Sequence, residues 1–397
     1  MQPPREVPTD FQIELERIED DLSRFGGAVL RDGSVDGAEA TRFAARLFQH
    51  ASLTGNLVEL GVAEAAADRA IERVTHASDL YLLKAIIALE LHRLADVRRS
   101  LEVCATLRDS TYGGALQADL DFQEGRYESA REGYEDVIEN DPAWDNLSRL
   151  AHLKAKMGDI TGADQLYARA QEELTAKQMR QYAWVELERG GLDLSRGWYE
   201  DARVHYEQAD RAYSGYWRVE ERMVELLRAR GKLDEAVALC ERVVARVRRP
   251  EFQQVLGELC ELTDRSGEAE AWLEKACAAY LESAGRGEVH YYHHLADFYA
   301  DVREDGAESV RWALKDLELR ENFSTQATLA WALYRARRFA EARELVERAL
   351  ASGAKDARLF YRAGMIHRAA GGGSRGDDYL RMAAEWNPLH RSIHVHH

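Results

Sequence analysis

The sequence predicts an all-α protein, a superhelical solenoid of antiparallel helical hairpins stacked side by side. Three observations predict it. Proline is confined to Pro3, Pro4, Pro8, Pro142, Pro250 and Pro388 in a chain of 397 residues rich in Ala, Leu, Glu and Arg, so long stretches carry nothing that stops a helix. A small residue, a large one four later and a small one three after that recur through most of the chain. Turns, many with glycine, such as QEGRY, SRGWY and RGKL, punctuate the pattern, where glycine readily ends a helix.

The first 36 residues lie outside the repeat. Within them Phe11, Leu15, Ile18, Leu22 and Phe25 step by four and three, which makes one amphipathic helix with a narrow apolar stripe. It is expected to cap the first hairpin; the alternative is pairing with a second copy, an oligomer through this helix. Looser versions of the repeat begin at Ala63 and Val97. Strict ones follow: Ala130, Tyr134, Val137; Ala163, Tyr167, Ala170; Ala202, Tyr206, Ala209; Ala236, Cys240, Val243; Ala269, Leu273, Ala276; Ala342, Val346, Ala349.

A second small residue leads most starts by twelve: Ala85, Ala118, Ala151, Gly190, Val224, Gly257 and Ala330. The four-and-three spacing places each set on one helical face, and small residues let two helices approach. Each unit is then a hairpin that cannot bury its own apolar face, and stacking supplies the missing core. Two units run long, near 176–210 and 278–320, and their first helices are expected to be extended. The last carries AAGGGSRGDD, with Gly376 as its small residue, and is expected to be looser. The division is a tail and capping helix at 1–36, about ten hairpins over 37–388, and a His-rich tail at 389–397.

Residues 112–142, YGGALQADLDFQEGRYESAREGYEDVIENDP, and 328–350, TLAWALYRARRFAEARELVERAL, resemble the tetratricopeptide repeat, and the resemblance extends over about 37–388. It implies a right-handed superhelix whose first helices line a concave groove. It also implies a protein- or peptide-binding scaffold rather than an enzyme. Such a motif is specific for architecture and nearly silent on the partner.

The formal net charge is −17, which disfavours nucleic acid and anionic membranes as partners. There is no run of eighteen apolar residues and no signal-peptide pattern in MQPPREVPTD, so a cytoplasmic protein is expected unless a leader was removed. Cys104, Cys240, Cys260 and Cys277 form no CxxC and fit as small buried hydrophobes. No GxSxG, HExxH, phosphate loop or GxGxxG occurs. No nucleophile–base pair emerges, and no cofactor is implied.

The stretch HYYHHLADFYAD, 290–301, invites two readings. Aligned on Ala296 and projected on the family's groove, it places His290, His293, Asp297, Ala300 and Asp301 inward. Upstream the projection gives Arg218, Glu221, Glu225 and Arg228, then Glu251, Gln254, Glu258 and Glu261. Downstream it gives Trp331, Tyr334, Arg335, Arg358, Tyr361 and Arg368. The groove would be acidic in the middle, with an aromatic–arginine patch toward the C-terminus that suits an acidic protein or peptide segment. The alternative is a metal-handling protein, with His290, His294 and Asp297 holding a divalent transition metal. His390, His394, His396 and His397 of the tail add to that alternative.

Overall fold

The computed structural model describes residues 7–29 and 37–389. His390, His394, His396 and His397 lie outside the described residues, as does the side chain of Phe25. Helix α1, Asp10–Val29, precedes ten hairpins. Hairpins 1 to 3 are α2–α3 (Gly37–Thr54, Leu57–Ile71), α4–α5 (Ser78–Glu90, Leu94–Val103) and α7–α8 (Thr111–Gln123, Tyr127–Asn140), with a single-turn α6 (Ala105–Arg108) between the last two. Hairpins 4 to 6 are α9–α10 (Trp144–Lys156, Ile160–Glu172), α11–α12 (Met179–Arg196, Tyr199–Ala212) and α13–α14 (Trp217–Ala229, Leu233–Arg246). Hairpins 7 and 8 are α15–α16 (Pro250–Leu262, Ser266–Gly285) and α17–α18 (Tyr292–Asp301, Gly306–Leu319). Hairpins 9 and 10 are α19–α20 (Phe323–Arg335, Phe339–Ala351) and α21–α22 (Ala357–Ala369, Gly373–Trp386). No strand occurs among the described residues, and no helix of theirs is long and apolar enough to cross a membrane.

The repeat residues do what their spacing requires. Every member of the six strict triplets is buried. The small partners are small for a steric reason: a Cβ on Gly190 would lie 2.4 Å from the Tyr206 ring, and one on Gly257 would lie 2.7 Å from Leu273. Each hairpin turn contains one residue with positive φ, at positions 55, 92, 125, 158, 197, 231, 264, 304, 337 and 371. Those at His92, Asp264, Glu304 and Arg337 are not glycine, which is why the turn pattern fades in those units.

Two expectations are corrected. The first long unit does extend its first helix, α11, to 18 residues. In the second, the extra length belongs to α16, at 20 residues, while α17 has only 10. Tyr280 and Ser283 are buried and continue the packing of α16 until Gly285 and Gly287 stop it. The last hairpin is not loose either. Its glycine run starts α22, and a Cβ on Gly364 would lie 2.6 Å from Leu380, so glycine allows a closer approach there.

The superhelix comes round onto itself, with turns of the first five hairpins resting on junctions between later ones. Trp217 Nε1 donates to Leu53 O at 2.8 Å. Asn322 Nδ2 donates to Gln123 O at 2.9 Å, and the Phe323 amide donates to Tyr127 Oη at 2.9 Å. The Lys355 amide donates to Lys156 O at 3.0 Å. Asn387 Nδ2 donates to Leu194 O and Ser195 O at 3.1 and 3.2 Å. Helix α1 lies on α2 and also reaches this seam, where Tyr213 Oη donates to Glu14 at 2.6 Å. Ile18, in the middle of its apolar stripe, is buried. The concave surface is therefore enclosed by the chain's own next superhelical turn.

Candidate functional site

The inner wall of hairpins 8 to 10 gathers most of the residues picked from the sequence. Asp297, on α17, is buried and takes two guanidinium groups: Arg358 Nη2 at 2.9 Å and Arg362 Nη2 at 2.6 Å. Burial alone disfavours the Arg362 charge, and the neighbouring Arg358 adds to this, so its pKa is lowered; Asp297 partly offsets both. Trp331 is buried, donates through Nε1 to Asp301 at 2.8 Å, and stacks on Tyr334 with 4.7 Å between centroids. Tyr361 lies at its other side, with a centroid distance of 6.3 Å. Arg335 donates to Ala300 O and to Glu304, both at 2.7 Å. Arg368 is apart from the others, exposed and paired with Asp377 on α22. The aromatic–arginine patch is thus largely engaged with itself and with the carboxylates of α17.

The histidine stretch is not one helix face. Helix α17 starts at Tyr292, so His290 sits in the preceding turn and shares no helical register with His294. Burial pushes the His290 pKa down to about 4, and its ring lies against Tyr291. His294 is buried, stacks on Tyr280 at 5.5 Å and lies 3.9 Å from Glu251. His293 turns toward His92 of hairpin 2, with ring centroids 5.8 Å apart. Among the described residues no group of three or more His, Cys, Asp or Glu side chains is placed to hold a metal ion.

The acidic middle of the wall is similarly cross-linked. Arg228 pairs with Glu258 at 2.8 Å, Gln254 donates to Glu258 at 2.9 Å, and Tyr280 Oη donates to Gln254 at 3.0 Å. Burial pushes Glu251 upward, but Arg249 and His294 outweigh it and hold its pKa at about 2. Burial dominates at Glu225 and raises it to about 7, despite Arg222 at 3.3 Å.

Three cavities lie along the enclosed surface. Two adjoin, of about 120 and about 270 Å³, and share His92, Arg320, Phe323, Ser324, Asp356 and Arg358. Around them four cations, Lys156, Arg320, Arg358 and Arg362, meet three carboxylates, Asp297, Asp316 and Asp356. Arg320 is held by Asp316 at 3.0 Å, whereas Lys156 makes no salt bridge among the described residues. Phe122, Tyr127 and Phe323 supply ring surface. The third cavity, about 490 Å³, lies between hairpins 2 to 5 and shares Phe122, Gln123 and His152 with the second. Burial pushes His152 down to about 3, so the common wall is uncharged at neutral pH.

Residues 222–249 and 324–355 match the sequence model of the family described as the tetratricopeptide repeat, and the first lies in hairpin 6 and the second in hairpin 9. The chain carries tetratricopeptide repeats. No curated protein matches it. Solved structures with related shape include the APC/C hetero-tetramer Cut9–Hcn1, with TM-score 0.43, 14% identity, and coverage of 96% of this chain and 81% of that one. Yeast Tom70 gives 0.39, 13%, 94% and 89%. A tetratricopeptide repeat protein from Parabacteroides merdae gives 0.39, 17%, 60% and 92%.

Within the tetratricopeptide-repeat frame, the projection from the sequence missed Arg362, Arg320, His92, Lys156 and His152. Arg362 follows Arg358 by one helical turn, a signal that was available. His92 and Arg320 stand in a turn and a junction, where helical periodicity has nothing to say. Their meeting, Arg320 Nη1 to His92 Nδ1 at 3.4 Å, spans two superhelical turns.

Proposed function

We propose that the chain is a non-enzymatic scaffold that takes a short protein or peptide segment, one bearing carboxylates, against the enclosed inner surface. The observation that carries this reading is the basic chamber. Lys156 stands there without a salt bridge among the described residues, beside Arg320, Arg358 and three aromatic rings. The chain as a whole carries −17, so an acidic segment is repelled from most of the surface and drawn to this one place. Cavities of about 120 and 270 Å³ suit a few residues in extended form, not a folded domain. A cytoplasmic setting accords with four thiols that form no disulfide.

The experiment uses fluorescein-labelled acetyl-pentaglutamate and its pentaglutamine counterpart, with binding to the full chain read by anisotropy at low ionic strength. Pentaglutamate should bind more tightly, and Lys156→Glu should weaken it by about tenfold or more. Lys232→Glu, on an exposed turn beside Glu235, should have a much smaller effect. Equal binding of the two peptides, or equal effects of the two substitutions, would refute the reading.

A further inference from the structure

The 490 Å³ chamber of hairpins 2 to 5 differs in kind from the basic one. Its aromatic lining includes Phe122, Tyr134, Trp144 and Trp184, with the two indoles edge to face at 5.8 Å. Its charges are Glu90, Asp119, Asp145 and a single cation, Arg149. That guanidinium is already clamped between Asp119 at 3.1 Å and Asp145 at 2.9 Å, and Asp119 also accepts the Tyr134 hydroxyl at 2.8 Å. Glu90 makes no hydrogen bond or salt bridge among the described residues. It is the last residue of α4, is exposed, and lines the chamber together with the aromatic residues.

We infer that this chamber is a second binding site, for a cationic side chain, arginine or lysine, of an extended segment. The faces of tryptophan rings attract cations, most strongly where water is displaced. Three carboxylates against one guanidinium leave the chamber negative. Glu90, which makes no salt bridge among the described residues, gives the entering cation a charge partner. Glu90 is exposed at the mouth of the chamber, where an entering cation can reach it, and Arg218 and Arg249 are its nearest charge neighbours in the fold. The shared wall at His152 is neutral and does not repel it. The inference rests on the peptide-binding role proposed above, but uses a different chamber with the opposite charge preference. Together the two would select a segment with a basic residue a few positions from an acidic one.

The test places 5-fluorotryptophan in the full chain, assigns the Trp144 and Trp184 resonances by tryptophan-to-phenylalanine replacement, and titrates N-acetyl-arginine amide against N-acetyl-citrulline amide. The second has nearly the same shape without the charge. The arginine compound should give saturable shifts at Trp144 and Trp184, and the citrulline compound should not. Glu90→Gln should weaken the arginine compound by about fivefold or more while the other fluorotryptophan resonances stay in place, which reports an intact fold. Absence of saturable shifts, equal shifts from the citrulline compound, or unchanged affinity in Glu90→Gln would overturn the inference. Pentaglutamate binding reads the basic chamber separately, so failure in one assay is distinguishable from failure in the other.

Discussion

Hairpins 8 to 10 and hairpins 2 to 5 face each other across the basic chamber, and they use similar residues to opposite ends. On the C-terminal wall Trp331 is buried against Tyr334 and tied to Asp301, and Asp297 clamps two arginines. On the N-terminal wall Trp144 and Trp184 border open volume, and Glu90 has no charge partner at hydrogen-bond distance. An aromatic–arginine patch is a reasonable mark of a binding surface, but the same residues brace a curved solenoid when their partners come from the next hairpin. What separates bracing from binding here is whether the charges are already matched.

The largest effect that would break the comparison is on stability. Trp331→Ala should cost about 3–5 kcal/mol, as expected of a buried tryptophan, whereas Trp184→Ala should cost about 1–2 kcal/mol because its ring already borders a cavity. Urea unfolding of the two variants, followed by circular dichroism, measures the difference. Equal costs would make the two walls alike.

A smaller effect concerns how the walls are held together. Gly125 and Gly231 both have positive φ, at 76° and 71°, so alanine strains either. A Cβ at Gly231 meets nothing, but one at Gly125 would lie 2.6 Å from Glu321 O across the seam. Gly125→Ala should therefore exceed Gly231→Ala by about 1–3 kcal/mol, the usual cost of a forced contact. Matching destabilisation of the two variants would mean that the superhelical turns are not in contact there.

The repeat was legible because it is local. Ala202, Tyr206 and Ala209 announce a buried helical face within eight residues, and Gly190 announces the close neighbour. The walls were legible only as far as the register held. Trp331, Tyr334 and Arg335 do project together, but whether they point at a ligand or at Asp301, Ala300 and Glu304 depends on the offset between hairpins. His290 was misplaced because the helix start at Tyr292 is set by packing around Tyr280 and Tyr291, not by a capping residue. The seam left no signal at all: Asn322 meets Gln123 and Asn387 meets Leu194 through backbone carbonyls, which every residue type carries. Glu90 and Trp184 fall in different hairpins, and only the curvature of the stack sets them around one chamber.

The charges of the C-terminal wall are structural and the open charge of the N-terminal wall is not. The direct measurement is denaturant unfolding at pH 8 of Asp297→Asn and Glu90→Gln beside the unaltered chain. Asp297→Asn leaves a buried Arg362 without its counter-charge and should lower stability by about 3 kcal/mol or more. Glu90 is exposed and makes no hydrogen bond or salt bridge among the described residues. Glutamine there breaks no contact and removes one negative charge from a chain of −17, so it should leave stability unchanged or slightly higher. Opposite behaviour of the two variants is the predicted result; comparable losses in both would contradict the account.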